Sequence, residues 1–275
     1  MKLARCAHKG LVWWGVVDEG TVNLLAPAES VPIGSWNLAA LESLSRRPVA
    51  KVALGEVSLL APVPSPSKIV CVGLNYRKHA AESGLAIPAS PLIFAKFPSS
   101  VIGPGAPIVI PGDSGEVDWE VELAIVMGRP ARQLGEADAL DFVAGYTVSN
   151  DVSARDLQVA DGQFVRAKSY DTFCPVGPWV VTVDELGEAD DLGIGLSVNG
   201  EALQDSSTSD LVFGVREIVS FCSRVATLNP GDLILTGTPE GTGFGLDPQR
   251  YLAPGDEVVA WIEGIGELAN PVVDS

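Results

Sequence analysis

Glycine and proline set the tightest limit on what this chain can fold into. Its 29 glycines and 20 prolines stand singly between short apolar runs along 275 residues. Each is a point where a helix or central strand tends to stop, so the pattern favours many short strands joined by turns. Apolar residues make up 47% and charged residues 19%, enough to bury a core without disulfide or metal staples and too apolar for a disordered chain. The expected class is α+β and β-rich, with few helices and no regular βαβ alternation.

Two units are expected. Leu11–Val17 and Thr21–Leu25 read as strands of a small N-terminal β-rich domain over residues 1–63, with a short helix at Leu38–Ser45. Ala61-Pro62-Val63-Pro64-Ser65-Pro66-Ser67 alternates proline with other residues, which suits an extended linker and neither a helix nor a central strand. Residues 64–275 then form the larger domain. There Ile69–Gly73, Pro91–Lys96, Glu120–Met127 and Ala144–Ser149 read as strands. Ser153–Asp161 and Ser209–Ala226 read as helices, and Asn199-Gly200 as a type I′ hairpin turn.

Charge and cysteine usage exclude several function classes. A net charge of −17 repels phosphate backbones and anionic membranes, and no run of apolar residues is long enough for a membrane span. Cys6, Cys71, Cys174 and Cys222 are scattered, with no Cys-x-x-Cys pair, which fits reduced buried thiols in a cytoplasmic protein.

Five stretches carry chemistry. In Asp118–Met127 the alternation of a strand puts Trp119, Val121, Leu123, Ile125 and Met127 on one face. Asp118, Glu120 and Glu122 lie on the other. Carboxylates that close repel unless a cation sits between them, and hard oxygens suit Mg²⁺, Mn²⁺ or Ca²⁺ over zinc. A solvated face on an edge strand is the other reading of the same pattern. Asn150-Asp151 falls at a strand end, either as a site residue or as a helix N-cap. Arg155 and Gln158 occupy adjoining turns of the helix that follows and could face the same cleft as Asp151. His79 and Glu82, at i and i+3, can pair as an activated base or merely as a surface pair. Lys168, among small and aromatic residues, could stabilise an oxyanion if buried. Finally Thr236–Gly245 holds four glycines that allow backbone N–H groups to approach a ligand, but it has neither a Walker nor a Rossmann pattern.

Together these residues resemble the fumarylacetoacetate hydrolase family. The matching stretches are Val72–Tyr76 with His79 and Glu82, Asp118–Ala124, Ser149–Asp156, Lys168–Phe173 and Leu235–Pro239, in the family's order between about residues 68 and 273. The N-terminal unit resembles that of bacterial two-domain members named as hydroxyheptadienedioate isomerases or decarboxylases. The resemblance implies a mixed β-sandwich roll, a homodimer, and Glu120, Glu122 and Asp151 as ligands of Mg²⁺ or Mn²⁺. It implies His79 with Glu82 as a water-activating couple on a mobile lid, and Lys168 as the group that steadies developing negative charge. Tyr76, Arg155, Gln158 and Thr238 become the expected contacts of a small 2-oxo acid. Ala95-Lys96-Phe97-Pro98 departs from the Lys-Pro-Pro type of turn in many relatives, so no role carries over to Lys96. The activity expected first is metal-dependent C–C hydrolysis of an acylpyruvate-like substrate. Decarboxylation or keto–enol isomerisation of a 2-oxo diacid comes second, and a non-catalytic metal- or ligand-binding protein third.

Overall fold

The computed structural model describes residues 1–31 and 38–275. Among them, twelve strands form one large sheet and a five-stranded sheet packs against it. Strand Val121–Met127 lies inside the large sheet, antiparallel to Val143–Asn150 on one side and to Leu233–Leu235 on the other. All seven of its residues are buried. The solvated-edge reading therefore fails, because both faces of this strand are covered.

Its alternation assigns the two faces to two cores. Trp119, Val121, Leu123, Ile125 and Met127 join a cluster with Ile194, Leu196, Val258 and Ala260 of the five-stranded sheet and with Ile218, Val219 and Cys222 of helix Val215–Val225. Ala124 and Val126 face the opposite cluster, which holds Leu3, Trp14, Leu25, Cys71 and Cys174. Glu122 precedes Ala124 on that inner face.

The N-terminal strands do not form a sheet of their own. Leu3 pairs with Val180 in strand Cys174–Thr182, so strands Lys2–His8, Leu11–Asp18, Thr21–Pro27 and Ala50–Ala53 extend the large sheet. The proline-rich stretch is packed as well. Ala61, Pro62 and Val63 are buried, and the Ala61 carbonyl accepts from Arg5 Nη1.

Local signals worked where they depend on near neighbours. Helix Leu38–Ser45 and strand Ile69–Gly73 have the expected bounds, and Asn199 and Gly200 take φ of 53° and 80°, as a type I′ turn demands. The long helix expected from Ser209 is shorter. Leu211 bridges to Tyr76 instead, and the helix starts at Val215. All four cysteines are buried and free. No helix among the described residues is long and apolar enough to cross a membrane.

Candidate active site

Strand pairing gathers the carboxylates. The register sets Val121 against Asn150 and Glu122 against Ser149, so Asp151 emerges beside Glu120. Two bonds tie this corner: Asp151 N–H donates to the Glu120 carbonyl at 2.8 Å, and Glu120 N–H donates to Asn150 Oδ1 at 2.9 Å. Trp119 and Glu120 have left the strand, so Glu120 does not stand two residues below Glu122 on one regular face. It is turned toward Asp151 instead. Carboxylate oxygens of Glu120, Glu122 and Asp151 lie within 4.8 Å of one another, all buried.

Three cations surround them. Lys168 Nζ reaches Glu120 Oε2 at 2.7 Å and Asp151 Oδ2 at 2.6 Å, from the end of the short helix Val165–Lys168. Lys96 Nζ, fully buried at the end of strand Leu92–Lys96, donates to Asp151 Oδ1 at 2.6 Å. Arg155 opens helix Arg155–Asp161 and bridges Asp118 at 2.8 Å and Glu120 at 2.5 Å. That helix is capped at Ala154, so the N-cap reading of Asp151 fails.

The charges are not shared equally. Burial raises the Glu120 pKa, but the attraction of Lys168 and then Arg155 outweighs it and holds the group well below the ordinary carboxylate range. Glu122 goes the other way. Burial first, then repulsion from Asp151 and Glu120, pushes its pKa well above normal. Its one hydrogen bond among the described residues comes from Gly237 N–H at 2.7 Å. A buried carboxylate that lacks a cation, within 4.8 Å of two others, fits a hard divalent ion supplied from outside the chain.

The glycine-rich loop does bring its N–H groups to anions, but the anions belong to the protein. Gly241 N–H binds Glu82 at 2.9 Å, Gly243 N–H and Phe244 N–H bind Asp118 at 2.7 and 3.1 Å, and Gly237 binds Glu122. Gly237 sits at φ +99°, where a side chain would be strained. A Cβ on Gly243 would lie 1.9 Å from the Arg250 carbonyl.

Above this floor lies a cleft of about 360 Å³. His79, Glu82, Glu120, Glu122, Lys168 and Arg155 line it together with Gln158 and Thr238, and Phe94, Phe164 and Phe244 form apolar wall. His79 Nδ1 is 3.1 Å from Glu82 Oε2. Helix Arg77–Glu82, which carries both, is docked on the neighbouring turn by Lys78 N–H to Asp210 at 2.9 Å and by Arg77 to the Asp210 carbonyl at 3.0 Å. Glu82 is held below the ordinary carboxylate range. Burial opposes this, while the hydrogen bonds from His79 and Gly241 bring it about.

The structure thus brings together every expected site residue except one. Tyr76 does not line the cleft. Its backbone bridges to Leu211, which turns the ring into the core, and its hydroxyl meets no hydrogen-bond partner among the described residues. Lys96 is the residue that sequence reasoning set aside and the structure puts at the centre. Nothing local marked it, because the anion that compensates its burial lies 55 positions away in the sequence.

A strand-rich roll converges three buried carboxylates, which could hold a metal ion, beneath a cleft lined by a His–Glu couple. Residues 68–273 match the family described as fumarylacetoacetate (FAA) hydrolase C-terminal, and the chain belongs to that enzyme family. It is 42% identical over 273 residues to a mitochondrial oxaloacetate tautomerase of Rattus norvegicus, covering 97% of this chain and 87% of that one. Among solved structures it is similar to a fumarylacetoacetate hydrolase from psychrophilic Exiguobacterium antarcticum, with a TM-score of 0.89 at 38% identity and full coverage of both chains. It is also similar to a 2-hydroxyhepta-2,4-diene-1,7-dioate isomerase from Mycobacterium marinum, with a TM-score of 0.83 at 41% identity, covering 100% of this chain and 99% of that one. Membership in an enzyme family removes the non-catalytic alternative.

Proposed function

We propose that this chain catalyses keto–enol interconversion of a small 2-oxo dicarboxylate of the oxaloacetate type. One observation carries the reading: a His–Glu couple shares a cleft with Glu120 and Glu122, which converge with Asp151 beneath it, in a chain that is 42% identical over almost its whole length to an oxaloacetate tautomerase. This reverses the order expected from sequence, which put C–C hydrolysis first.

The reaction moves one proton from the carbon beside a ketone to the ketone oxygen and consumes no water. His79 is proposed to take and return that proton. Glu82, kept anionic beside the ring, favours the imidazolium that forms in between. Lys168 and Arg155 provide fixed positive charge at the floor, where negative charge develops on oxygen. Help of this kind is worth about 3 kcal/mol per group. Glu120, Glu122 and Asp151 would hold Mg²⁺ or Mn²⁺, which when bound supplies Lewis-acid polarisation of the ketone. Phe94, Phe164 and Phe244 narrow the access of water. A homodimer is part of the proposal and is checked by light scattering.

Hydrolysis remains a second reading on one observation: a histidine hydrogen-bonded to a carboxylate at the cleft wall can equally activate water. The test follows the ultraviolet absorbance of enol-oxaloacetate with Mg²⁺, with and without chelator. Pyruvate release and acetylpyruvate cleavage are measured in parallel. The proposal expects faster enol–keto exchange that the chelator abolishes, with little pyruvate. Acetylpyruvate cleavage that outpaces exchange would establish the hydrolase instead.

A further inference from the structure

Gln204 is buried, 1% exposed, and comes from hairpin strand Glu201–Ser207 of the five-stranded sheet. Nothing in the reaction as derived above uses it. Its amide is fixed at both ends. Oε1 accepts from the backbone N–H of Val121 at 2.9 Å, and Nε2 faces Thr238 Oγ1 at 2.9 Å, the Pro239 carbonyl at 3.0 Å and, farther off, the Glu240 carbonyl at 3.4 Å. A backbone N–H can only donate and a carbonyl can only accept, so the amide cannot be flipped. Nε2 has only hydrogens to offer, and its two shorter contacts, the Pro239 carbonyl and the Thr238 hydroxyl, take them ahead of the Glu240 carbonyl.

Thr238 therefore receives a hydrogen bond from behind and cannot return one. Its own hydrogen must point elsewhere. Among the described residues no acceptor meets it, and the residue is 4% exposed and lines the cleft beside Gly237, the partner of Glu122. We infer that Gln204 is a positioning residue that locks the Thr238 hydroxyl as a donor into the cleft, so that the site selects a ligand presenting an acceptor oxygen there, a carboxylate or enolate. The inference rests on the cleft reading above for where the ligand sits. It adds how one wall of that cleft acquires its polarity: from the first residue of the strand that bears Glu122.

The test is equilibrium binding of oxalate in the presence of Mg²⁺, by calorimetry, on Thr238→Val, Thr238→Ser, Gln204→Leu and the Gln204→Leu/Thr238→Val double variant. Titration of Mg²⁺ alone serves as the control. Thr238→Val should weaken oxalate by about tenfold or more, as expected for a hydrogen bond to a charged group. Thr238→Ser should restore binding to within about twofold of the parent. Gln204→Leu should weaken oxalate in the parent and add nothing in the Thr238→Val background, because the hydroxyl it orients is already gone.

Gln204→Leu leaves the Val121 N–H without an acceptor. Should it not fold, Gln204→Glu keeps that acceptor, turns an oxygen toward Thr238 and enters the same cycle. Parent-like oxalate affinity in Thr238→Val, or an equal loss from the Gln204 change in both backgrounds, overturns the inference. Failure of oxaloacetate exchange with the cycle intact would remove the proposed reaction and leave this assignment standing.

Discussion

Two regions of the molecule are built on opposite principles. At the N-terminal end Leu3, Trp14, Leu25 and Leu41 fill the interior, and burial of apolar surface stabilises the fold directly. Beside the central strands Val121–Met127 and Val143–Asn150, Asp118, Glu120, Glu122 and Asp151 are buried against Lys96, Lys168 and Arg155. Burying charges gains little net stability even when they pair well, and a leftover carboxylate costs more. The contrast teaches where the proposed function lies: the polar region gives up stability to hold the candidate site, and the apolar region supports it.

The sharpest way to break the contrast is Asp151→Ala. It strips the carboxylate from Lys96, leaving the Val152 carbonyl, and one of two carboxylates from Lys168, both lysines buried. Unfolding stability should fall by about 3–5 kcal/mol, and Mg²⁺ binding should be lost. Denaturant unfolding with and without Mg²⁺ reads both, and a small change would mean the lysines find water or other partners. His79→Ala should lower oxaloacetate turnover by about 10²- to 10⁴-fold with Mg²⁺ affinity nearly intact. Steady-state kinetics paired with calorimetry checks this, and a parallel loss of metal would show that His79 belongs to the ion's shell.

In the apolar region Leu3→Ala should cost about 3 kcal/mol of stability and leave Mg²⁺ affinity unchanged. A shift in metal affinity would show that the two regions are coupled. The smallest effect is a pH dependence. Because the Glu122 pKa is raised in the fold, the folded state keeps a proton that the unfolded chain has lost. Glu122 should therefore favour folding of the metal-free protein most at low pH, and this contribution should fade as pH rises above the ordinary carboxylate value of 4.5. Thermal unfolding of the parent and of Glu122→Gln across that range, with chelator, isolates this contribution from the opposite trends of Glu120 and Glu82: the parent should lose stability relative to the variant as pH rises.

Legibility from sequence follows how far apart the partners lie. Glu120 and Glu122 were visible because they stand in one strand pattern, and Asp151 because it ends another. The face shared by Trp119, Val121, Leu123, Ile125 and Met127 was equally legible, since period-two alternation is local. The break at Trp119–Glu120 was not, because it is caused by Arg155 and Asn150, which reach Glu120 across sequence separations of 35 and 30. Lys96 and Gln204 were hidden for the same reason, their partners lying 55 and 83 positions away. Tyr76 was misplaced because a matched motif names residues and not directions, and the bridge to Leu211 decides which way the ring turns.

Most directly at stake is whether the three carboxylates hold one divalent ion. Chelator-stripped protein titrated with Mg²⁺ in a calorimeter, beside Glu122→Gln, decides it. The account predicts one ion per chain in the parent and an affinity weaker by about tenfold or more in the variant. Equal affinity in the two proteins, or no binding in the parent, would contradict it.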